Sequence, residues 1–266
     1  MALSENDSFA IKIFLNAVLP NLKTVAEGLP EIAKLWEGKN AICQISANSE
    51  EGKVATHFIV EDGKWSVKVG PSEKKPDVEL TFSSIPHLNG YFQNKTKKLP
   101  KISGFSKPLK LLAFMRTLMK MAYLLNLTNP PEDEQQKSVL VKMYLYLLPA
   151  GINQLNKAGF EKISSWCSTQ PDRAFSFEVV GHPEVSTYLR VKAGSSKIGR
   201  GEYTRSVPFF TMRFKTFDDA LRILLSLDDM IDAQVSGRLI LDGPPEVGVD
   251  VGDFLLTVGA FAKGTE

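Results

Sequence analysis

The chain has 266 residues, of which 43% are hydrophobic and 23% charged, and its 32 basic and 30 acidic side chains leave a net charge of +2. That composition fits a globular chain and excludes global disorder, and the even charge balance excludes a polyanion as the main partner. Two cysteines, Cys43 and Cys167, are too few for a disulfide framework or a four-thiolate zinc site.

The first 20 residues place Glu5 and Asp7 ahead of a broken apolar run ending at Pro20, whereas a secretory signal starts basic and ends in small residues. The sequons at Asn6, Asn94 and Asn126 are therefore read as chance, and a cytoplasmic location is expected. The longest apolar segment, 109–127, is interrupted by Lys110, Arg116 and Lys120. A membrane span wants about 20 largely uncharged residues.

Helical residues open the chain from about Phe9 to Gly28, and a short helix follows over Glu31–Trp36. Strand-like runs come next at Ala41–Ser46, Val54–Val60, Lys64–Val69 and Val78–Phe82, separated by turn residues such as Asp62-Gly63. Four consecutive strands with short turns predict an antiparallel meander. A helix starts near Ser84, a last strand runs near Lys101–Phe105, and a long helix follows from Pro108. The stretch Asn129–Gln136 is polar, opens with two prolines and reads as a linker.

The same order then repeats. A helix is expected over Lys137–Lys157 with a shorter one to Trp166, then strands at Arg173–Val180, Val185–Ala193, Ser196–Arg205 and Phe209–Lys215. Thr216 and Asp219 have capping-box spacing ahead of the apolar stripe Phe217, Ala220, Leu221, Leu224 and Leu225. A strand over Ala233–Leu241 and a helix near Asp253–Ala262 close the chain. Three anchors support a duplication. Leu19-Pro20 recurs as Leu148-Pro149, the strand Pro76–Phe82 as Pro208–Phe214, and Ile102-Ser103-Gly104 as Val235-Ser236-Gly237. The expectation is an α+β chain of two similar units, each a mostly antiparallel five-stranded sheet with helices on one face. Unit one takes residues 1–128, the linker 129–136, and unit two 137–266.

Catalytic patterns are absent from the sequence. His57, His87 and His182 are far apart, and no HExxH, CxxC or nucleophile elbow occurs, so no metal, cofactor or catalytic residue is assigned. Asp228, Asp229 and Asp232 read as a solvated helix face. The glycines of 194–201 and of 243–252 match neither a Walker loop nor GxGxxG and read as turns.

Residues 80–131 hold eight basic side chains and no acidic one. On the long helix, Lys110, Arg116, Thr117 and Lys120 fall in one polar arc, and the remaining surface is apolar and includes Met115, Met119 and Met121. Such a helix is expected either to be buried between the two units or to contact a ligand or an anionic bilayer, the latter through Lys110, Arg116 and Lys120, and the two can coexist. Aromatics interleave poorly with these lysines, so no nucleic-acid partner is expected.

Each unit resembles the sterol carrier protein 2-like sterol-transfer domain. Trp65, Val67 and Val69 precede Pro76-Asp77-Val78-Glu79-Leu80-Thr81-Phe82-Ser83, and Ser236-Gly237-Arg238-Leu239-Ile240-Leu241-Asp242-Gly243 looks like that family's later strand. Unit two departs from the pattern at Phe209, where the aspartate is lost, and unit one at Phe105-Ser106, where the second glycine is lost. The resemblance implies an apolar tunnel between sheet and helices that takes a fatty acid, acyl-CoA or sterol-like lipid, with no fixed catalytic residue. Matching positions that would line it are Leu80, Phe82, Ile85, Leu88, Phe92, Leu112, Met115 and Met119 in unit one. In unit two they are Phe210, Met212, Phe214, Phe217, Leu221, Leu224 and Phe254. Every one of these also suits a plain core. The readings carried forward are a non-enzymatic apolar-ligand carrier, a protein-interaction scaffold with filled cores, and an enzyme on a lipid-like substrate.

Overall fold

The computed structural model describes residues 3–266. The chain forms two compact units: residues up to Tyr123 together with Ala260–Glu266, and Leu124–Gly259. This division puts the last seven residues with unit one.

Unit one opens with α1 (Glu5–Ile13), which runs through a π turn at Phe14–Val18 into α2 (Asn21–Gly28). In the turn Leu19 donates to the Phe14 carbonyl, five residues back, and Pro20, the next donor position in that register, has no N–H for the Leu15 carbonyl. The buried Thr56 hydroxyl, on the sheet, donates to the Leu15 carbonyl at 2.6 Å. The helix defect thus becomes a bond between helix and sheet. After α3 (Pro30–Ala33) come β1 (Ala41–Ser49), β2 (Gly52–Glu61), β3 (Lys64–Val69), β4 (Val78–Phe82), α4 (Ile85–Phe92), β5 (Lys101–Ser103) and α5 (Pro108–Leu125).

The sheet order is β3-β2-β1-β4-β5. The expected meander is therefore corrected: β4 does not pair with β3 but lies parallel to β1, with Ile45 opposite Leu80. Residues 70–77 make the crossing over the outer sheet face. Along it Gly70 bonds Ala55 and His57, Ser72 N–H donates to the Gln44 side chain, and Asp77 N–H donates to the Ile42 carbonyl. The crossing contributes cover to polar Gln44 on the outer face, which is almost fully buried.

Unit two holds α6 (Glu134–Lys157), α7 (Glu161–Thr169), β6 (Arg173–Val179), β7 (Thr187–Lys192), β8 (Ser195–Arg200), β9 (Phe210–Phe214), α8 (Phe217–Leu224), α9 (Met230–Val235), β10 (Leu239–Asp242) and α10 (Pro245–Lys263) up to Gly259. α6 begins inside the stretch read as a linker, capped by the Asp133 side chain. The sheet order β10-β9-β6-β7-β8 is the topology of unit one, with β6 and β9 as the parallel pair. Thr216 caps α8 by accepting from Asp219 N–H, as Ser84 caps α4 by accepting from His87 N–H.

The third anchor of the duplication is shifted. Val235 ends α9, and the partner of Ile102 is Leu241, because Ile102 pairs with Leu80 as Leu241 pairs with Met212. Gly104 and Gly243 are the matching glycines. Both have positive φ, and a Cβ at either would stand 2.6 and 2.8 Å from the carbonyl oxygens of Asp77 and Phe209. Unit two inserts α9 between its fourth strand and β10. The strand expected at Ala233–Leu241 therefore starts only at Leu239, and the last helix starts at Pro245 rather than near Asp253.

Thr56→Val keeps the shape and strands the Leu15 carbonyl. It should lower the stability of unit one by about 1–3 kcal/mol, read as a lower urea midpoint by tryptophan fluorescence. An unchanged midpoint would show that the π turn needs no partner in the sheet.

Candidate functional site

The inner face of each sheet and the helices on it enclose an apolar layer. In unit one, alternate side chains of the parallel pair point inward: Cys43 and Ile45 from β1, and Val78, Leu80 and Phe82 from β4, all nearly or fully buried. Phe82 packs against Tyr91 and Phe92 of α4, and Phe92 against Phe14 of the π turn. At the other end Trp65 meets Trp36 and Phe58, and Phe58 meets Phe114 of α5. The Trp36 indole N–H donates to the buried Thr117 hydroxyl on α5 at 3.0 Å. Unit two repeats this device with different chemistry. Trp166 packs on Phe175 and Phe254, and its indole donates to Asp250 on α10 at 2.9 Å.

The residues expected to line a tunnel fall into three groups. Leu80, Phe82, Ile85, Leu88, Phe210, Met212, Phe214, Leu221 and Phe254 are buried in these layers. Phe92, Met115, Phe217 and Leu224 are half-buried at their rims. Leu112 and Met119 are 50% and 66% exposed and face away from the layer. Sequence reasoning missed Trp36, Phe58, Phe114, Trp166 and Phe175. Apolar alternation marks Phe58 and Phe175, but nothing local marks the two tryptophans as tethers.

The polar arc expected on α5 is split, with Thr117 turned inward, Lys110 and Lys120 half-buried and Arg116 outward. Thr117 is fully buried, Lys110 reaches Asp77 at 3.3 Å and Lys120 reaches Glu31 at 3.5 Å. Of the basic residues assigned to a membrane surface, Arg116 is the exposed one. The outward arc carries Leu109, Leu112, Met119 and Tyr123, each at least half exposed.

Two open grooves lie in unit one. One, of about 950 Å³, runs under the 70–77 crossing on the outer sheet face between Ile42, His57, Ile59, Lys68, Lys74 and Asp77. The other, of about 650 Å³, lies by the N-termini of α1 and α4 between Asp7, Ser83, His87, Lys95, Lys98 and Glu266. Ser83 Oγ stands 3.0 Å from His87 Nδ1, the distance of a nucleophile from its base. The arrangement is a helix cap, however. Ser83 N–H donates to the same Nδ1, so the ring proton sits on Nε2, which donates to the Lys98 carbonyl. The Nδ1 lone pair is thus shared by the Ser83 N–H and hydroxyl, and Nε2 ties the ring to the Lys98 carbonyl at 2.8 Å, so these bonds fix the start of α4. No cluster of three or more metal-ligating side chains occurs among the described residues.

The departure at Phe209 has an electrostatic basis. In unit one the Asp77 carboxylate accepts from Ile42 N–H and from Lys107, with Lys110 beside it. Burial alone would raise its pKa, but the bonds from Lys107, Ile42 and Lys110 outweigh burial and hold it below the ordinary carboxylate value. In unit two Phe209 occupies that place, and the Arg173 guanidinium stacks on its ring at 3.6 Å. The acidic trio read as a solvated face is also more structured than expected. Asp229 caps α9, and Asp228 holds Arg222 and Arg238, whose bonds to it lower its pKa strongly.

A carboxyl group depressed on folding contributes stability above its unfolded pKa, near 4, and loses it as the pH falls through the folded value. Asp77→Asn should therefore lower the thermal midpoint of unit one at pH 7, and the difference from wild type should shrink as the pH falls below about 4. A difference constant with pH would mean that the side chain acts by shape alone.

No family model matches the sequence. No curated protein matches it either. Solved structures give partial likenesses. The solution structure of TT1886, a conserved Thermus thermophilus protein named as a sterol carrier candidate, is 15% identical, with a TM-score of 0.29 over 47% of this chain and 85% of that one. The ubiquinone synthesis protein UbiJ-SCP2 is 23% identical, with a TM-score of 0.28 over 45% of this chain and 96% of its own. The stereoselective inverting sec-alkylsulfatase Pisa1 from Pseudomonas sp. is 13% identical, with a TM-score of 0.26 over 54% of this chain and 29% of its own.

Proposed function

We propose that this chain is a cytosolic, non-catalytic carrier that encloses an apolar small molecule, such as a fatty acid, acyl-CoA or sterol-like lipid, between the sheet and helices of one or both units. The observation that carries the reading is the duplicated aromatic-rich layer, built twice on one topology and closed each time by a last helix tethered through a tryptophan. Burying an apolar ligand there returns about 25 cal/mol per Å² of surface removed from water. Entry would part the half-buried rim, Phe92 and Met115 in unit one and Phe217 and Leu224 in unit two. Methionine is suited to this because it repacks with little strain. Exchange with an anionic membrane through Lys110, Arg116 and Lys120 belongs to the same reading. Asp77 and Glu31 already compensate Lys110 and Lys120, however, and Arg116 carries most of what remains.

A second reading, an interaction scaffold with filled cores, is favoured by a separate observation. Phe82, Phe210 and Phe214 are fully buried, while large apolar side chains such as Leu109 and Leu256 are 70% exposed.

Extraction of the natively purified chain followed by mass spectrometry decides between the two. A stoichiometric lipid supports the carrier and names its ligand class, and one equivalent rather than two assigns it to a single unit. A chain that yields no lipid and takes up no fluorescent fatty acid ends the carrier reading in favour of the scaffold.

A further inference from the structure

The last helices of the two units correspond residue by residue. α5 starts at Pro108 and α10 at Pro245, and at this offset the buried Phe114 and Met121 match the buried Val251 and Val258. Their outward stripes match as well. On α5 it is Leu109, Leu112, Arg116, Met119 and Tyr123, and on α10 Glu246, Val249, Asp253, Leu256 and Ala260. Both follow alternating steps of three and four residues, the spacing of a coiled-coil seam. At 100° per residue each stripe spans about 80°. That is narrow for a helix lying in a bilayer interface and suited to a partner helix.

The seams are exposed. Leu112 and Met119 are 50% and 66% accessible, and Val249 and Leu256 are 73% and 70%. Their centres have opposite charge, Arg116 against Asp253. The surroundings follow suit. Residues 84–125 hold eight basic side chains and no acidic one, while 216–262 hold nine acidic and two basic. Some of this charge is compensated locally: Lys107 and Lys110 face Asp77, Lys120 faces Glu31, Lys95 faces Glu266, Lys137 faces Asp218, and Asp228 faces Arg222 and Arg238. Exposed Lys162 reaches Asp253 itself.

We infer that the occupant of the α5 seam is a second copy of this chain, through its α10 seam. With Arg116 opposite Asp253 in an antiparallel pair, Leu112 falls against Leu256 and Met119 against Val249. Each apolar side chain is then covered, and each charged centre meets its complement. Homologous faces of opposite charge repel their own kind and select each other.

Sedimentation velocity of the full chain at 50 and 500 mM salt tests this, with Arg116→Asp, Asp253→Arg and the double swap. The wild type should self-associate at micromolar concentration, more weakly in high salt. Each single reversal should weaken association about tenfold or more, and the double swap should restore most of it. Thermal midpoints of the three variants, with Asp253→Asn as a second variant that adds no charge beside Lys162, separate lost association from lost folding. A wild type that stays monomeric at low salt overturns the inference, as does a double swap that fails to rescue while its midpoint is unchanged. Flotation with phosphatidylserine vesicles adds a further arm. Binding by monomeric wild type that is lost in Arg116→Asp and not regained in the swap would make an anionic membrane the occupant and overturn the second-copy assignment.

Discussion

The parallel pairing of the first and fourth strands of each unit governs the rest of the structure. β1 and β4, and β6 and β9, lie next to each other in the middle of their sheets, and the chain reaches this pairing by a crossing over the outer face. Two consequences follow. The crossing brings its own polar groups against the outer face and helps to bury side chains such as Gln44, so one sheet face needs no helix. All the helices that pack on the sheet are then free to cover the other face, where the alternate residues of the parallel pair point. The apolar layer is where those two facts meet, and the proposed carrier function resides there.

Tethers across the layer set how firmly it is closed. Thr56 satisfies a carbonyl that Pro20 leaves unpaired, and Trp36 and Trp166 hold the last helices by single indole hydrogen bonds. Buried polar pairs of this kind contribute little net energy when made and cost more when broken, so they specify position rather than supply bulk stability. Around them the duplication has diverged where the fold tolerates it. Asp77 with its lysines becomes Phe209 under Arg173, and both solutions hold the crossing beside the first strand. The last helices kept their buried faces and exchanged the sign of their exposed ones.

Much of this order was legible in the residues. Period-two runs gave the strands, Asp62-Gly63 a hairpin, Thr216 and Asp219 a helix start, and the two prolines and the motif strand a duplication. What was misread shares one cause. The partner of a strand is a long-range choice, and a short polar connection such as 70–77 is locally identical whether it turns back or crosses over. The third anchor failed for a related reason: Val235-Ser236-Gly237 has the residues of the strand-end motif, yet α9 claims Val235, and only the close approach of Gly243 to Phe209 identifies the true equivalent. The direction in which α5 faces was also hidden. Periodicity gives the arcs of a helix, but Lys110 and Lys120 are half-buried because Asp77 and Glu31, distant in sequence, meet them there.

The sequence by itself determined most of the helices and strands, that the pattern occurs twice, and that HExxH, CxxC and a nucleophile elbow are not written in the chain, because those properties rest on local periodicity, turn chemistry and residue spacing. Only the tertiary structure decided the parallel strand order, the pairing of Lys110 and Lys120 on α5 with distant carboxylates and the pair of oppositely charged exposed seams. Each of these depends on groups tens of residues apart satisfying one another's charge, hydrogen bonds and volume.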